Sequence, residues 1–283
     1  MLAPAFESAL EGLASGDAQL LRQARDLWPG FAQAHELNLF RDGAEWRGPD
    51  PEGMRDRLRT RGFKADIRGS AVVTPDDWRI DPWQALAALR SGLVRVAERL
   101  VRLEESGGGW RLTTDGGRDL SARQIVLASG WQNPDCGIVL PQLLPVRGQA
   151  VRVRGGAPRR IIRGDGVYVV PQTSGAIVGA TMEQGRSDTT PDAATTEQLL
   201  LKASAVCPEL GATEVERVHV GVRGASPDGW PYAGLLRPGL AVALAPRRNG
   251  WLLAPLIAEL VTGALQGRDP APALDRLSPG RMA

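Results

Sequence analysis

The sequence predicts an α/β protein whose mixed core is interleaved with an antiparallel sheet. Three observations carry this. Apolar residues recur at helical spacing early in the chain. The second half alternates with period two and breaks at hairpin lengths. A segment near the C-terminus is apolar almost all round, which suits a buried helix.

The elements follow in order. After Ser15-Gly16-Asp17, residues Leu20, Leu21, Ala24, Leu27, Trp28 and Phe31 form one helical stripe, with Asp17 the expected N-cap. Pro29-Gly30 should end or kink that helix. The Gly- and Pro-rich stretch 47–53 reads as loop. A second helix starts at Asp81, with Pro82 in its first turn and Leu86, Ala87, Leu89 and Leu93 as its apolar positions. Stretches 110–114 and 124–128 read as strands, the first closed by Asp115-Gly116-Gly117. Stretches 167–170 and 176–179 are a hairpin's length apart. A helix is expected over 195–206, stopped by Pro208. Along 215–223, Val218, Val220 and Val222 share one face, and Arg217, His219 and Arg223 the other. A short buried strand covers 240–244, and a buried helix covers 251–261 and ends at Gly263.

Composition narrows the function. The 283 residues suit one large or two modest domains, and 43% hydrophobic residues suffice for a core. A net charge of +2 gives no field for nucleic acid. Cys136 and Cys207 form no CxxC, and His35 and His219 are the only histidines, so no metal site is expected. No apolar run approaches the ~20 residues of a membrane span. The start Met1-Leu2-Ala3-Pro4 lacks a basic n-region, so a cytoplasmic protein is expected. No GxSxG, GxGxxG or GxxxxGK[ST] occurs, and Gly107-Gly108-Gly109 precede a strand instead of following one.

Three places can carry chemistry. Arg247-Arg248-Asn249-Gly250 lies between a strand and the buried helix, where free N–H groups and the positive dipole end favour an anion or an electron-rich ring edge. A solvated basic loop is an equal reading. Arg223 ends an alternating strand before the turn Ser226-Pro227-Asp228-Gly229, so it can clamp a carboxylate or belong to a polar outer face. Tyr168 can donate its hydroxyl to that carboxylate or simply pack. His219 reads as a partly buried strand residue.

Six segments in order resemble the FAD-dependent D-amino-acid oxidase superfamily, most closely its glycine oxidase branch. They are Met1-Leu2-Ala3-Pro4, Arg123 through Trp131, Pro145-Val146-Arg147-Gly148-Gln149, and Tyr168-Val169-Val170-Pro171 with Val178 through Glu183. Gly221-Val222-Arg223 with Pro227 through Gly234, and Arg248 through Pro255, complete the order.

The resemblance implies an FAD-binding Rossmann-like domain (1–30, 80–144 and 232–283) interleaved with an antiparallel-sheet substrate domain (31–79 and 145–231). It implies oxidative deamination of glycine or a small amino acid. A hydride passes from the α-carbon to flavin, the imine hydrolyses, and oxygen is reduced to hydrogen peroxide. Thiamine biosynthesis is a pathway this branch serves. Tyr168, Arg223 and Arg248 would bind substrate. Met1, Leu2, Ala3, Arg248, Asn249, Gly250, Trp251 and Leu252 would contact flavin, and no protein acid–base catalyst is required. With no cysteine after Cys207, the FAD is expected to be noncovalent. Homo-oligomers are compatible with this reading. A D-amino-acid dehydrogenase with a quinone acceptor and a non-catalytic remnant binding small carboxylates are the alternatives.

The chain departs from the family pattern at two further points. The opening strand–GxGxxG–helix unit of roughly 30 residues is missing, so a fragment is expected, with an unpaired edge beside the Ile125 strand. Pro246-Arg247 stands where the family commonly has a histidine and an aromatic residue.

Overall fold

Nine strands build the largest sheet. Its order is Glu183–Gln184, Leu144–Arg154, Gly175–Gly179, Val167–Gln172, Ile161–Gly164, Ala44–Trp46, Ala71–Thr74 and Asp66–Arg68, with Glu214–Ala225 pairing Leu144–Arg154. The structure, a computed structural model, describes residues 1–282. All pairings in this sheet are antiparallel except Ile161–Gly164 with Ala44–Trp46. Val151, Val153, Val169 and Val178 form a buried layer under helix α6 (Ala193–Val206), which contributes Leu199, Ala203 and Val206.

A smaller sheet joins Tyr232–Arg237, Leu240–Leu244 and Ile125–Leu127. Leu240–Leu244 runs parallel to Ile125–Leu127, with Ala241 opposite Val126. The far edge of Ile125–Leu127 has no strand partner among the described residues, and Val126 is 45% exposed there. A separate meander joins Leu100–Ser106, Gly109–Thr114 and Asp119–Ala122.

Among the described residues there are six further α-helices, α1 (Pro4–Leu10), α2 (Ser15–Asp26), α3 (Trp28–Ala34), α4 (Pro51–Thr60), α5 (Pro82–Arg90) and α7 (Gly250–Leu265), besides short 3-10 turns and the strand pair Leu39–Phe40 with Arg79–Ile80. Helix α7 buries Leu252, Leu253, Leu256 and Val261 in a core with Leu20, Leu21 and Trp28. The Trp28 indole donates to the Leu252 carbonyl at 3.2 Å, which satisfies its one polar atom in that core.

Several boundaries differ from the sequence reading. Asp17 is not the N-cap, because α2 already starts at Ser15; its carboxylate sits in the first turn, where the helix dipole still favours it. Pro29 does not merely stop α2: it sits in the first turn of α3, where its missing N–H costs nothing. The loop read over 47–53 gives way at Pro51 to α4, because Asp50 accepts from Gly53 N at 2.9 Å and caps the helix. Leu93 lies beyond the end of α5 and is exposed. Helix α6 begins at Ala193, capped by Asp192 accepting from Thr195 N at 2.7 Å. Helix α7 runs through Gly263 to Leu265, and the left-handed turn falls to Gly267 at φ 75°. Helix α1 has no counterpart in the sequence reading. Its N-terminus is held by Asp77, which accepts from Ala5 N at 2.7 Å and Phe6 N at 3.2 Å.

Candidate functional site

Helix α1, strand Val167–Gln172, Arg223 and the start of α7 enclose a cavity of about 600 Å³. Arg223 reaches it because of strand register. It pairs with Val146 across Glu214–Ala225 and Leu144–Arg154, so its side chain shares a face with Gly148. A Cβ at Gly148 would lie 2.0 Å from Arg223 Nη1, so this guanidinium position requires glycine beneath it. Nη1 lies 3.5 Å from the Thr181 carbonyl and 3.7 Å from Met182 Sδ. Among the described residues no carboxylate pairs with Arg223. Burial lowers its pKa from the usual arginine range, yet a guanidinium keeps its charge near neutrality.

Tyr168 faces the same space from the hairpin, opposite Gly179. A Cβ on Gly179 would lie 2.6 Å from its hydroxyl. Burial raises the Tyr168 pKa, so the hydroxyl remains protonated and able to donate. It makes no hydrogen bond among the described residues.

The opposite wall is a charge network. Arg248 Nε lies 3.0 Å from Glu7 Oε2, its Nη2 donates to Glu7 Oε1 at 3.3 Å, and its Nη1 pairs with Glu11. Arg163 Nη1 lies 2.8 Å from Glu7 Oε1, with both side chains almost fully buried. Arg247 reaches Glu11 at 3.2 Å. Ala245 and Arg247 hold positive φ values of 58° and 47°, a strained backbone just ahead of α7. The N–H groups of Gly250, Trp251 and Leu252 have no acceptor among the described residues, leaving the α7 N-terminus open.

Of the residues singled out from sequence, Met1, Ala3, Tyr168, Arg223, Arg248, Asn249 and Trp251 line this cavity together. Three do not. Leu2 and Leu252 are core residues, 0% and 1% exposed, and Gly250 borders a separate apolar groove on α7. His219 lies outside the cavity, stacked on Trp83 with centroids 5.3 Å apart; burial, then Arg217 and Arg152, lower its pKa. Sequence reasoning missed Glu7, Glu11 and Arg163. A signal existed: Glu7 and Glu11 are four apart, a repulsive spacing on a helix unless cations bridge them.

The donor set fits a flavin ring. Open N–H groups and guanidinium charge at a helix start suit the electron-rich, anion-forming edge of an isoalloxazine, and Met1, Ala3 and Trp251 give flat apolar walls. No group of three or more metal-ligating side chains occurs among the described residues, and none of their helices is long and apolar enough to cross a membrane.

Comparison with known proteins agrees. A family model described as FAD-dependent oxidoreductase matches residues 8–264. The chain is 31% identical over 271 residues to a tRNA 5-methylaminomethyl-2-thiouridine biosynthesis bifunctional protein of Caulobacter vibrioides, covering 92% of this chain and 44% of that protein. It is 30% identical over 256 residues to a glycine oxidase of Geobacillus kaustophilus, covering 83% of this chain and 67% of that enzyme. A crystal structure of glycine oxidase from Geobacillus kaustophilus superposes with TM-score 0.79 at 25% identity, covering 90% of this chain and 80% of that one. The chain spans roughly half the length of the curated relatives that it matches, from 44% to 67% across those first in similarity.

Proposed function

The chain belongs to the FAD-dependent oxidoreductase family, and from that premise we propose that its site oxidises the amine of glycine or another small amino acid. The observation that carries this is Arg223: a cavity-lining guanidinium without a carboxylate partner, beside a protonated Tyr168 hydroxyl. Together they would hold a substrate carboxylate by charge and by hydrogen bonding. Fixing that end orients the α-carbon across the cavity, toward the α7 start, and lowers the entropy cost of reaching the reactive arrangement.

Met1, Ala3 and the turn Arg248–Asn249–Trp251 would hold noncovalent FAD, with Leu2, Gly250 and Leu252 shaping that wall from behind. When bound, the flavin would supply the two-electron oxidation, accepting the α-carbon's hydride, with the imine left to hydrolyse in water and oxygen as the final acceptor, giving hydrogen peroxide. The open α7 N–H groups would stabilise negative charge arising on that side. No side chain need act as nucleophile or general base. In this reading, 31–79 and 145–231 form the substrate-binding part and the remaining segments the flavin-binding part.

Absorbance tests the proposal. After incubation with FAD and desalting, the chain should retain a visible flavin band that bleaches anaerobically with glycine or sarcosine. A retained band that no small amino acid bleaches would reject the substrate class. A colourless chain would reject flavin binding by this polypeptide. A second reading is favoured by the extent of the match to the tRNA-biosynthesis protein: the same oxidation on an amine carried by a tRNA nucleoside. Bleaching by tRNA and not by free amino acids would select it.

A further inference from the structure

The cavity holds three arginines, Arg163, Arg223 and Arg248, but they are not equivalent. Arg223 has no carboxylate partner among the described residues. Each of the three guanidinium nitrogens of Arg248 is already engaged, Nε and Nη2 by Glu7 and Nη1 by Glu11. Arg163 Nη1 is paired with the same Glu7 oxygen as Arg248 Nη2, Oε1, at 2.8 Å, a close ion pair without hydrogen-bond geometry. Glu7 is 5% exposed and lies between two cations, on a helix whose first turn is fixed by Asp77. It therefore cannot swing away without leaving Arg163 as a buried, unpaired charge.

We propose that Glu7 restricts the site to substrates with one carboxylate, by holding Arg163 and Arg248 away from any second anionic group. The inference rests on the amino-acid reading above and names its substrate class. A monocarboxylate needs only Arg223 and Tyr168. A dicarboxylate would bring its second anion against Glu7 and Glu11, whose partners it can take only by breaking ion pairs, of which Glu7–Arg163 is almost fully buried. Removing the charge of Glu7 frees Arg163 and the Nε and Nη2 of Arg248, whose Nη1 stays on Glu11, and turns the same wall into a second anion subsite.

The test is a titration of the chain with acetate and with malonate at about pH 7.5, where both are fully ionised, followed by tryptophan fluorescence; Trp46 and Trp251 stand in the cavity wall. Wild type should bind malonate no more tightly than acetate. Glu7→Gln should shift the malonate-to-acetate affinity ratio roughly tenfold toward malonate, about 1.4 kcal/mol. An unchanged ratio in a Glu7→Gln protein that melts like wild type would overturn the inference. So would a wild type that already prefers malonate roughly tenfold, a result that needs no variant to fold. If wild type binds neither anion, the Arg223 clamp itself is wrong, and this inference falls with it. If it binds both and the ratio fails to move, only the role of Glu7 is lost.

Discussion

Arg147 and Arg223 sit on neighbouring strands one register position apart, and they have opposite surroundings. Arg147 lies opposite Val222, Arg223 opposite Val146, so the two side chains leave the sheet on opposite faces. Arg147 is 0% exposed and held by two hydrogen-bonding nitrogens: its Nη1 lies 2.5 Å from Glu183 and its Nη2 donates to the Thr190 carbonyl, while its Nε sits 3.3 Å from Asp188 in an ion pair without a hydrogen bond. Beside it, Gln149 donates to the Asp192 carbonyl at 2.7 Å and accepts from Asp192 N at 2.8 Å. This cluster ties the 183–192 segment and the start of α6 to the sheet. Arg223 has neither a carboxylate nor a short hydrogen bond. A buried arginine paired with two carboxylates is architecture, whereas one with no carboxylate partner that faces a cavity is available for a ligand.

The largest expected effect tests the first half of that contrast. Arg147→Ala should destabilise the chain by about 3 kcal/mol, since it empties a buried volume, leaves the Thr190 carbonyl without its donor and strips Glu183 of its buried cation, leaving it only Thr181 and the exposed Arg186. Urea unfolding would read this as a lowered midpoint with an unchanged slope. A loss below about 0.5 kcal/mol, the scale of a surface substitution, would mean that the cluster is not the tie described.

Arg223→Ala should do the reverse. In flavin-loaded enzyme KM for a small amino acid should rise roughly 100-fold, about 2.7 kcal/mol of lost carboxylate binding. Stability should move by less than about 1 kcal/mol, because no buried partner is stranded. An unchanged KM would remove Arg223 from the substrate site, and a collapse in stability would make it a second Arg147.

The sequence made these two residues unequally legible. Arg223 stood out because a charged residue ended a valine alternation just before a Pro-Asp-Gly turn. Arg147 did not, because inside a strand a charge reads as solvent-facing, and what buries it arrives some 40 residues later as the 183–192 segment and α6. The same limit hid Glu7 and Arg163, which lie far apart in sequence and meet only once α1 packs against the hairpin sheet. Local signals did find the hairpin 167–179, the helix start at Asp81 with Pro82 in its first turn, and the strand–turn–helix around Arg248, because each depends on residues close in sequence. They could not say that Arg248 is already paired with Glu7 and Glu11, nor that Leu2 and Leu252 point into the core.

The two regions should also differ in the sign of their pH dependence, the smallest of these effects. On the Arg147 side, burial pushes the Glu183 pKa up, but the Thr181 hydroxyl and Arg147 outweigh it and hold the group below the usual glutamate range. A carboxylate depressed on folding contributes stability at neutral pH that is lost as pH falls through its folded pKa. On the cavity side, burial pushes Asp77 up to about 7, against the opposing hydrogen bonds from Ala5 and Phe6 and the charge of Arg163. A carboxyl raised on folding acts the other way: its contribution is complete in acid and is lost as pH rises through the folded value. With that value near 7, the chain should lose about 1.4 kcal/mol of stability between pH 6 and pH 8 from this group. Asp77→Asn removes this ionisation, so the difference in unfolding free energy, wild type minus variant, should fall by about 1.4 kcal/mol from pH 6 to pH 8. The opposing rise from the buried Met1 amine, lowered to about 6, and the acid limb belonging to Glu183 are retained in both proteins. A wild-type-minus-variant difference that stays flat from pH 6 to 8 would show that the N–H groups at the start of α1 keep Asp77 ionised, and that α1 is anchored by a carboxylate in the same way that the Arg147 cluster is.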